Sequence, residues 1–237
     1  MEADYRVLGI IPARGGSKGI PRKNIKLLNG KPLIQFSYES AFGASLLSET
    51  VLSTDDEEIR EIGQRMGMYA PFLRPANLAD DQAPALGYLI HAVEWMKSKG
   101  KYFDAVCILQ PTTPFRENGL IDRAIKHFYH LQADSLVTVL PVPHELNPHW
   151  VFEPDNNGFL HISTGEELLI PRRQQLPPAY FRDGAIYLTK TEVLLQQGSI
   201  YGKKVSYLEN SSKDYVNLDT MEDWVTAEQI AARLNNK

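Results

Sequence analysis

Along the first 140 residues, short apolar runs alternate with amphipathic stretches. Residues 5–13 (YRVLGIIPA) read as a buried strand, mostly apolar and ended by Pro and Gly. Pro32 opens a helix that places Leu33, Phe36 and Ala41 on one face. Residues 50–55 are strand-like, and the next stretch has acids in its first turn and Gly67 at its end, the punctuation of a helix. A short strand is predicted over 68–75 and a helix over 83–100, closed by Lys97, Lys99 and Gly100. A strand over 103–111, a helix over 119–132 and a strand over 134–143 complete the series. Strands and helices alternating at these lengths imply βαβ units, an α/β fold and a mostly parallel sheet.

The pattern then breaks. Residues 141–183 hold seven of the fifteen prolines and a hairpin signal, EPDNNGFLHI, in which Asn157-Gly158 is a good tight-turn pair. This segment reads as an excursion from the sheet, a lid or an arm toward a partner chain. Strand character returns at 184–190 and 203–209, and a last helix starts at Thr220, with Asp223 completing a capping box. No repeat or low-complexity stretch interrupts what reads as one domain over 1–237 with an insert at about 141–183.

Composition narrows the function. A net charge of −4 gives no general affinity for nucleic acid. The N-terminus lacks a signal peptide's basic and apolar regions, and no apolar run is long enough for a membrane span, so a cytoplasmic protein is expected. The single cysteine, Cys107, lies in the apolar run AVCILQ and reads as a buried structural thiol. Against the acidic whole, residues 5–38 contain no acid but carry Arg6, Arg14, Lys18, Arg22, Lys23, Lys26 and Lys31. These cations interleave with Gly and Pro instead of following a helical period, which favours an anion pocket over a solvated face.

The centre of that region is IIPARGGSKGIPRKN, residues 10–24. It fails the Walker A pattern because Lys18 precedes the last glycine, and it fails the dinucleotide fingerprint because Gly15, Gly16 and Gly19 are wrongly spaced. A dinucleotide-dependent oxidoreductase is therefore disfavoured. The physical content remains: Gly15 and Gly16 let backbone amides approach an anion, and Arg14 and Lys18 add charged donors. A loop after the first strand of an α/β sheet lies at the carboxyl edge, where ligands bind. Phosphate binding follows.

Seven stretches occur in order: IIPARGGSKGIPRKNI, VLSTDD, LRP, LQPTTPFR, RRQQLP, GAIY and NLDTMEDW. Together they resemble the acylneuraminate cytidylyltransferases, the CMP-sugar synthetases that activate sialic acid and related nonulosonic acids, over residues 10–224. The resemblance implies a three-layer, Rossmann-like nucleotidyltransferase sheet with a small inserted dimerisation subdomain, and hence a homodimer. It implies attack by the anomeric hydroxyl of an acidic nine-carbon sugar on the α-phosphorus of CTP, with Mg²⁺ and release of pyrophosphate. Arg14 and Lys18 match the family's triphosphate-binding residues, with Gly15, Gly16 and Ser17 between them, and Lys23-Asn24 matches its pair at the loop's end. Arg74 corresponds to an arginine near the nucleotide, with a surface pair to Asp80 or Asp81 as the alternative. Gln110 matches a sugar-contacting glutamine, and Arg173 an arginine at the acceptor site, suited to a carboxylate by its planar fork. Thr112 and Thr113 are expected to shape a turn.

Two departures qualify the match. Where the family carries Asp-x-Asp before its last helix, this chain has Asn217 and Asp219. Residues two apart on a strand face one way, so both can meet one ion; Asp219 is expected as the Mg²⁺ ligand and Asn217 as a weaker one. Residues 82–86 (QAPAL) lack the small hydroxyls that relatives often carry near the nucleotide, so base and ribose contacts must come from elsewhere. A non-catalytic nucleotide- or sugar-binding homologue and a ketodeoxyoctonate cytidylyltransferase are the alternatives. His144 and His149, five apart across Pro148, make no convincing zinc site, and His91 reads as packed or partly exposed.

Overall fold

The computed structural model describes residues 5–80, 82–211 and 213–235. Its strands are β1 (Val7–Pro12), β2 (Leu27–Leu28), β3 (Lys31–Pro32), β4 (Glu49–Ser53), β5 (Ala105–Ile108), β6 (Ser135–Pro141), β7 (Phe152–Pro154), β8 (Leu160–Ile162), β9 (Tyr180–Lys190) and β10 (Val205–Glu209). The α-helices are α1 (Leu33–Phe42), α2 (Glu57–Arg65), α3 (Ala85–Ser98), α4 (Leu120–His130), α5 (Thr191–Gln197) and α6 (Met221–Asn235).

Six strands form the central sheet in the order β10-β6-β9-β5-β1-β4. β1 is parallel to both neighbours, with Ile10 opposite Val51 on β4 and Ile108 on β5. β9 alone runs antiparallel, between β5 and β6, and β10 pairs parallel with β6 at the edge. The mostly parallel α/β sheet expected from the sequence is therefore present, with one reversed strand inside it.

The alternation within β1 explains the layers. Val7 and Ile11 point to one face and pack with Ile34 and Ala41 of α1, Ile59 of α2 and the apolar stripe of α4. Leu8 and Ile10 point to the other face and meet Leu89, Val93 and Met96 of α3 and Leu194 of α5. Both faces are covered, so the strand reads as a continuous apolar run. Phe128 of α4 is fully buried in the first layer, where truncation to alanine would cost ~3–5 kcal/mol. A third cluster seats Trp224, Ala227 and Ile230 of α6 against Ile20, Leu28 and Leu33, tying the chain's end to the loop after β1. Among the described residues no helix is long and apolar enough to cross a membrane.

Three local readings differ from the structure. Residues 68–75 form no strand; Tyr69 makes a single parallel bridge to Val51. The helix α5 follows β9 directly and was not expected. β9 also begins at Tyr180, inside the stretch read as an excursion.

The remainder of that excursion leaves the sheet. β7 and β8 form an isolated antiparallel hairpin whose turn carries Gly158 at φ +86°, with the Asp155 carboxylate accepting from the amides of Asn157 and Phe159. The arm exposes Phe159, Leu160 and Leu168. At α6 the predicted cap is present: the Asp223 amide donates to Thr220 Oγ1, and the Thr220 amide donates to the Asp223 carboxylate.

Candidate nucleotide-binding cleft

The loops leaving the carboxyl ends of β1 and β5, the segment running from Arg74 into α3, and the stretch before α6 surround an open cleft of about 600 Å³. Its walls include Arg14, Ser17, Lys18, Lys23, Asn24, Arg74, Gln110, Asn217 and Asp219, nine of the residues singled out from the sequence. Residues 205 positions apart in the chain thus meet at one sheet edge, as expected for a ligand site in an α/β fold.

The loop after β1 is held from behind. Asn24 is buried, and its Nδ2 donates to the Arg14 carbonyl at 2.9 Å. Arg14 Nη1 donates to the Asp80 carbonyl at 3.1 Å. The Gly15 amide donates to Asp55 at 3.0 Å, so that amide is engaged by protein and does not face an anion as the sequence suggested. Gly15 is nevertheless required, because a Cβ there would sit 2.6 Å from the Asp56 carboxylate. Gly16 has nothing within 4 Å of its would-be Cβ, and neither glycine is among the cleft walls.

Asp56 also caps α2, accepting from the Ile59 amide, and pairs with Arg22, which reaches Glu58 as well. Hydrogen bonding from Arg22 holds the Asp56 carboxyl below its usual range. The network fixes the far end of the loop, where Arg22 adopts the left-handed conformation at φ 53°.

Lys23 links the loop to the metal candidate. Its Nζ donates to the Leu218 carbonyl at 2.6 Å and lies 3.8 Å from Asp219 Oδ1. Burial lowers its pKa, while Asp219 opposes that shift. The approach of the two segments is close: a Cβ on Gly19 would lie 2.0 Å from the Asp219 carbonyl oxygen.

Asn217 and Asp219 lie in an irregular segment, not a strand, yet their side chains meet as proposed from the spacing. Asn217 Nδ2 donates to Asp219 Oδ2 at 2.6 Å. In this arrangement Asn217 orients the carboxylate, and its amide would have to turn over to offer oxygen to an ion. Asp219 is 67% exposed. Mg²⁺ commonly takes one or two protein oxygens, with waters and substrate phosphates completing its shell, so this donor set fits it. Among the described residues no group of three or more His, Cys, Asp or Glu could hold a metal. His149 contacts Glu166 and His144 contacts Glu145, so the two histidines do not act together. His91 is half-buried against the Phe72 ring.

Arg74 is 5% exposed, which removes the surface pair with Asp80; Asp81 lies outside the described residues. Its guanidinium donates to Ser53 O at 2.5 Å and Ser53 Oγ at 3.2 Å, and it stands 4.5 Å from the centroid of the Tyr88 ring. Desolvation lowers its pKa, opposed in part by Tyr88 and the Asp55 carboxylate.

Gln110 borders the cleft where β5 ends, and a residue not singled out from the sequence supports it. Arg116 donates to the carbonyls of Gln110 at 2.6 Å and Ala185 at 2.9 Å and to Ser37 Oγ at 3.0 Å, joining the β5 loop, β9 and α1. Burial lowers its pKa to about 10. The only sequence signal was its place at the end of LQPTTPFR. Thr113 shapes the turn by donating to the Asp183 carbonyl, and the Thr112 carbonyl accepts from the Leu218 amide. Arg173 lies elsewhere, exposed on a short 3-10 turn (Arg173–Gln175) of the arm and not among the cleft walls.

The chain is similar to several curated proteins. It is 34% identical over 216 residues to the pseudaminic acid cytidylyltransferase of Campylobacter jejuni, covering 91% of this chain and 92% of that one. It is 33% identical over 227 residues to the CMP-N,N'-diacetyllegionaminic acid synthase of Legionella pneumophila, covering 95% and 96%. Among solved structures, the CTP complex of a CMP:2-keto-3-deoxy-manno-octonic acid synthetase superposes with a TM-score of 0.73 at 18% identity, covering 96% of this chain and 99% of that one, which shows a shared fold. The family model described as cytidylyltransferase matches residues 8–232, and the chain belongs to that family.

Proposed function

We propose that this protein is a CTP-dependent cytidylyltransferase that converts a nonulosonic acid to its CMP-sugar and releases pyrophosphate. The observation carrying the proposal is the meeting of Arg14, Lys18 and Lys23 with the Asp219 carboxylate in one cleft at the sheet's carboxyl edge. Cations there suit a triphosphate, and a carboxylate beside them suits an attacking hydroxyl. The relatives named above act, by their names, on pseudaminic and diacetyllegionaminic acids, which supports an acidic nine-carbon sugar as acceptor.

In this mechanism the anomeric hydroxyl oxygen forms a bond to the α-phosphorus of CTP, and the bond from that phosphorus to the bridging oxygen breaks. The electron pair leaves on pyrophosphate, whose growing charge Arg14, Lys18 and Lys23 stabilise. Asp219 accepts the hydroxyl proton, and Asn217 and Lys23 hold its carboxylate in place. Bound Mg²⁺, held by Asp219, would neutralise phosphate charge and act as a Lewis acid. Gln110 orients the sugar at the other side of the cleft.

The sugar's carboxylate calls for Arg173, which lies outside this protomer's cleft. A homodimer joined through the arm bearing Phe159, Leu160 and Leu168 is the assembly we propose, with cytoplasmic CTP as the donor. One observation favours a second reading, binding without turnover: Asn217 supplies no charge at the position where the family resemblance implies an acid.

The test is pyrophosphate release from CTP and Mg²⁺ across pseudaminic, legionaminic and sialic acids and ketodeoxyoctonate, with ATP, GTP and UTP as controls. Release with CTP and a nine-carbon acid is expected. Release with ketodeoxyoctonate alone would reassign the substrate, and CTP binding without release would favour the second reading.

A further inference from the structure

The wall of the cleft beyond Arg74 is mostly apolar. Leu78, Ala79, Ala83 and Ala85 line it without a side-chain hydrogen bond to offer, and the Asp80 carboxylate among them accepts from the Gln82 amide. One turn into α3 the wall acquires Tyr88, which is 8% exposed. Among the described residues its hydroxyl makes no hydrogen bond, so its remaining exposure opens on the cleft. A buried tyrosine hydroxyl normally finds a partner.

Two features make this hydroxyl a fixed one. The ring packs in the cluster of Phe72, Leu89 and Ile108, and the Arg74 guanidinium, itself anchored on Ser53, lies 4.5 Å from its centroid. Burial pushes its pKa up to about 12, so it stays protonated and can both donate and accept at neutral pH. The phosphate cations and Gln110 occupy other parts of the rim. A mostly apolar wall with one preplaced hydroxyl suits the flat, weakly polar part of a nucleotide, not its phosphates.

We infer that Tyr88 is a nucleoside-contacting residue of this cleft, whose hydroxyl bonds the base or ribose of CTP. It supplies, from inside α3, the side-chain hydroxyl that residues 82–86 lack. The inference rests on the proposal that CTP is the donor nucleotide.

The experiment is calorimetric binding of CTP, 2′-deoxy-CTP and inorganic tripolyphosphate to wild type and Tyr88→Phe, which keeps the ring and its contact with Arg74. Loss of one hydrogen bond to the ligand should weaken CTP binding about five- to tenfold and leave tripolyphosphate binding and Tm unchanged. If 2′-deoxy-CTP shows none of the loss, the partner is the ribose 2′-hydroxyl; if it shows the same loss, the partner is the base or the 3′-hydroxyl. Equal CTP affinity of the two proteins would overturn the inference, as would an equal loss for tripolyphosphate or a shift confined to the sugar's KM. CTP binding without turnover by the wild type would refute the enzymatic reading and leave the Tyr88 result standing. A wild type that binds no CTP would overturn both.

Discussion

Gly19→Ala probes the joint between the phosphate loop and the carboxylate. A Cβ at this position would meet the Asp219 carbonyl oxygen at 2.0 Å, whereas real Cβ contacts essentially never fall below 3.0 Å. Because the obstacle is backbone, no side-chain rotation relieves it, and the two segments must part by at least 1 Å. Overpacking of this kind costs ~1–3 kcal/mol, which lowers Tm by several degrees in a domain of this size. The functional cost should be larger: a 1 Å misplacement of reacting groups is worth about 10²-fold in rate. Lys23 offers no remedy, since its bond to the Leu218 carbonyl spans the same gap. Steady-state pyrophosphate release, with Tm followed by differential scanning fluorimetry, should give kcat/KM reduced about 10²-fold in a folded protein. Gly16→Ala is the matched control, because its Cβ would meet nothing within 4 Å and Tm should not move. A Gly19→Ala enzyme within about threefold of wild type would refute the reasoning, and so would loss of activity only through unfolding.

Lys18→Ala should lower kcat by roughly 10²–10³-fold with the circular dichroism spectrum unchanged, as a cation on the leaving group is lost; near-normal turnover would exclude that role. Asp219→Ala should abolish Mg²⁺-dependent release, read from a magnesium titration, while Asn217→Asp should tighten the apparent Mg²⁺ affinity. Arg173→Ala should raise the sugar's KM at least tenfold and leave that of CTP unchanged, measured by varying each substrate in turn. Asp56→Asn keeps a good helix cap but removes the charge that pairs with Arg22. Its hydrogen bonds with Arg22 hold the folded Asp56 carboxyl below the usual aspartate range, so its stabilisation is present above the unfolded-state pKa and is lost as pH falls through the folded one. The Tm gap from wild type should therefore be open at pH 7 and close below about pH 4.

By itself the sequence determined the alternation of buried strands and amphipathic helices, the tight turn at Asn157-Gly158, the Thr220–Asp223 cap and the cationic loop after β1. Each is a local property, set by residue spacing, turn chemistry or charge within a few positions. Tertiary structure decided the rest. β9 is as apolar in its buried half as its parallel neighbours, and burial pattern carries no sign of strand direction, so its reversal between β5 and β6 was invisible. Asn24 and Gly15 belonged to the expected phosphate loop, yet their polar groups bind Arg14 and Asp55, because which partner a donor meets depends on chain brought from elsewhere. Residues 68–75 were apolar enough for a strand but found only a single bridge on Val51. Arg74 was legible as a cleft residue, but its burial on Ser53 and Tyr88 depended on how α3 covers the sheet. Nothing in the sequence sets Tyr88 apart from the other apolar positions of the helix over 83–100. Its packed ring was the local fact; the opening of its hydroxyl on the cleft was made by the fold, because a helix period specifies which face is buried and not what lies beyond it.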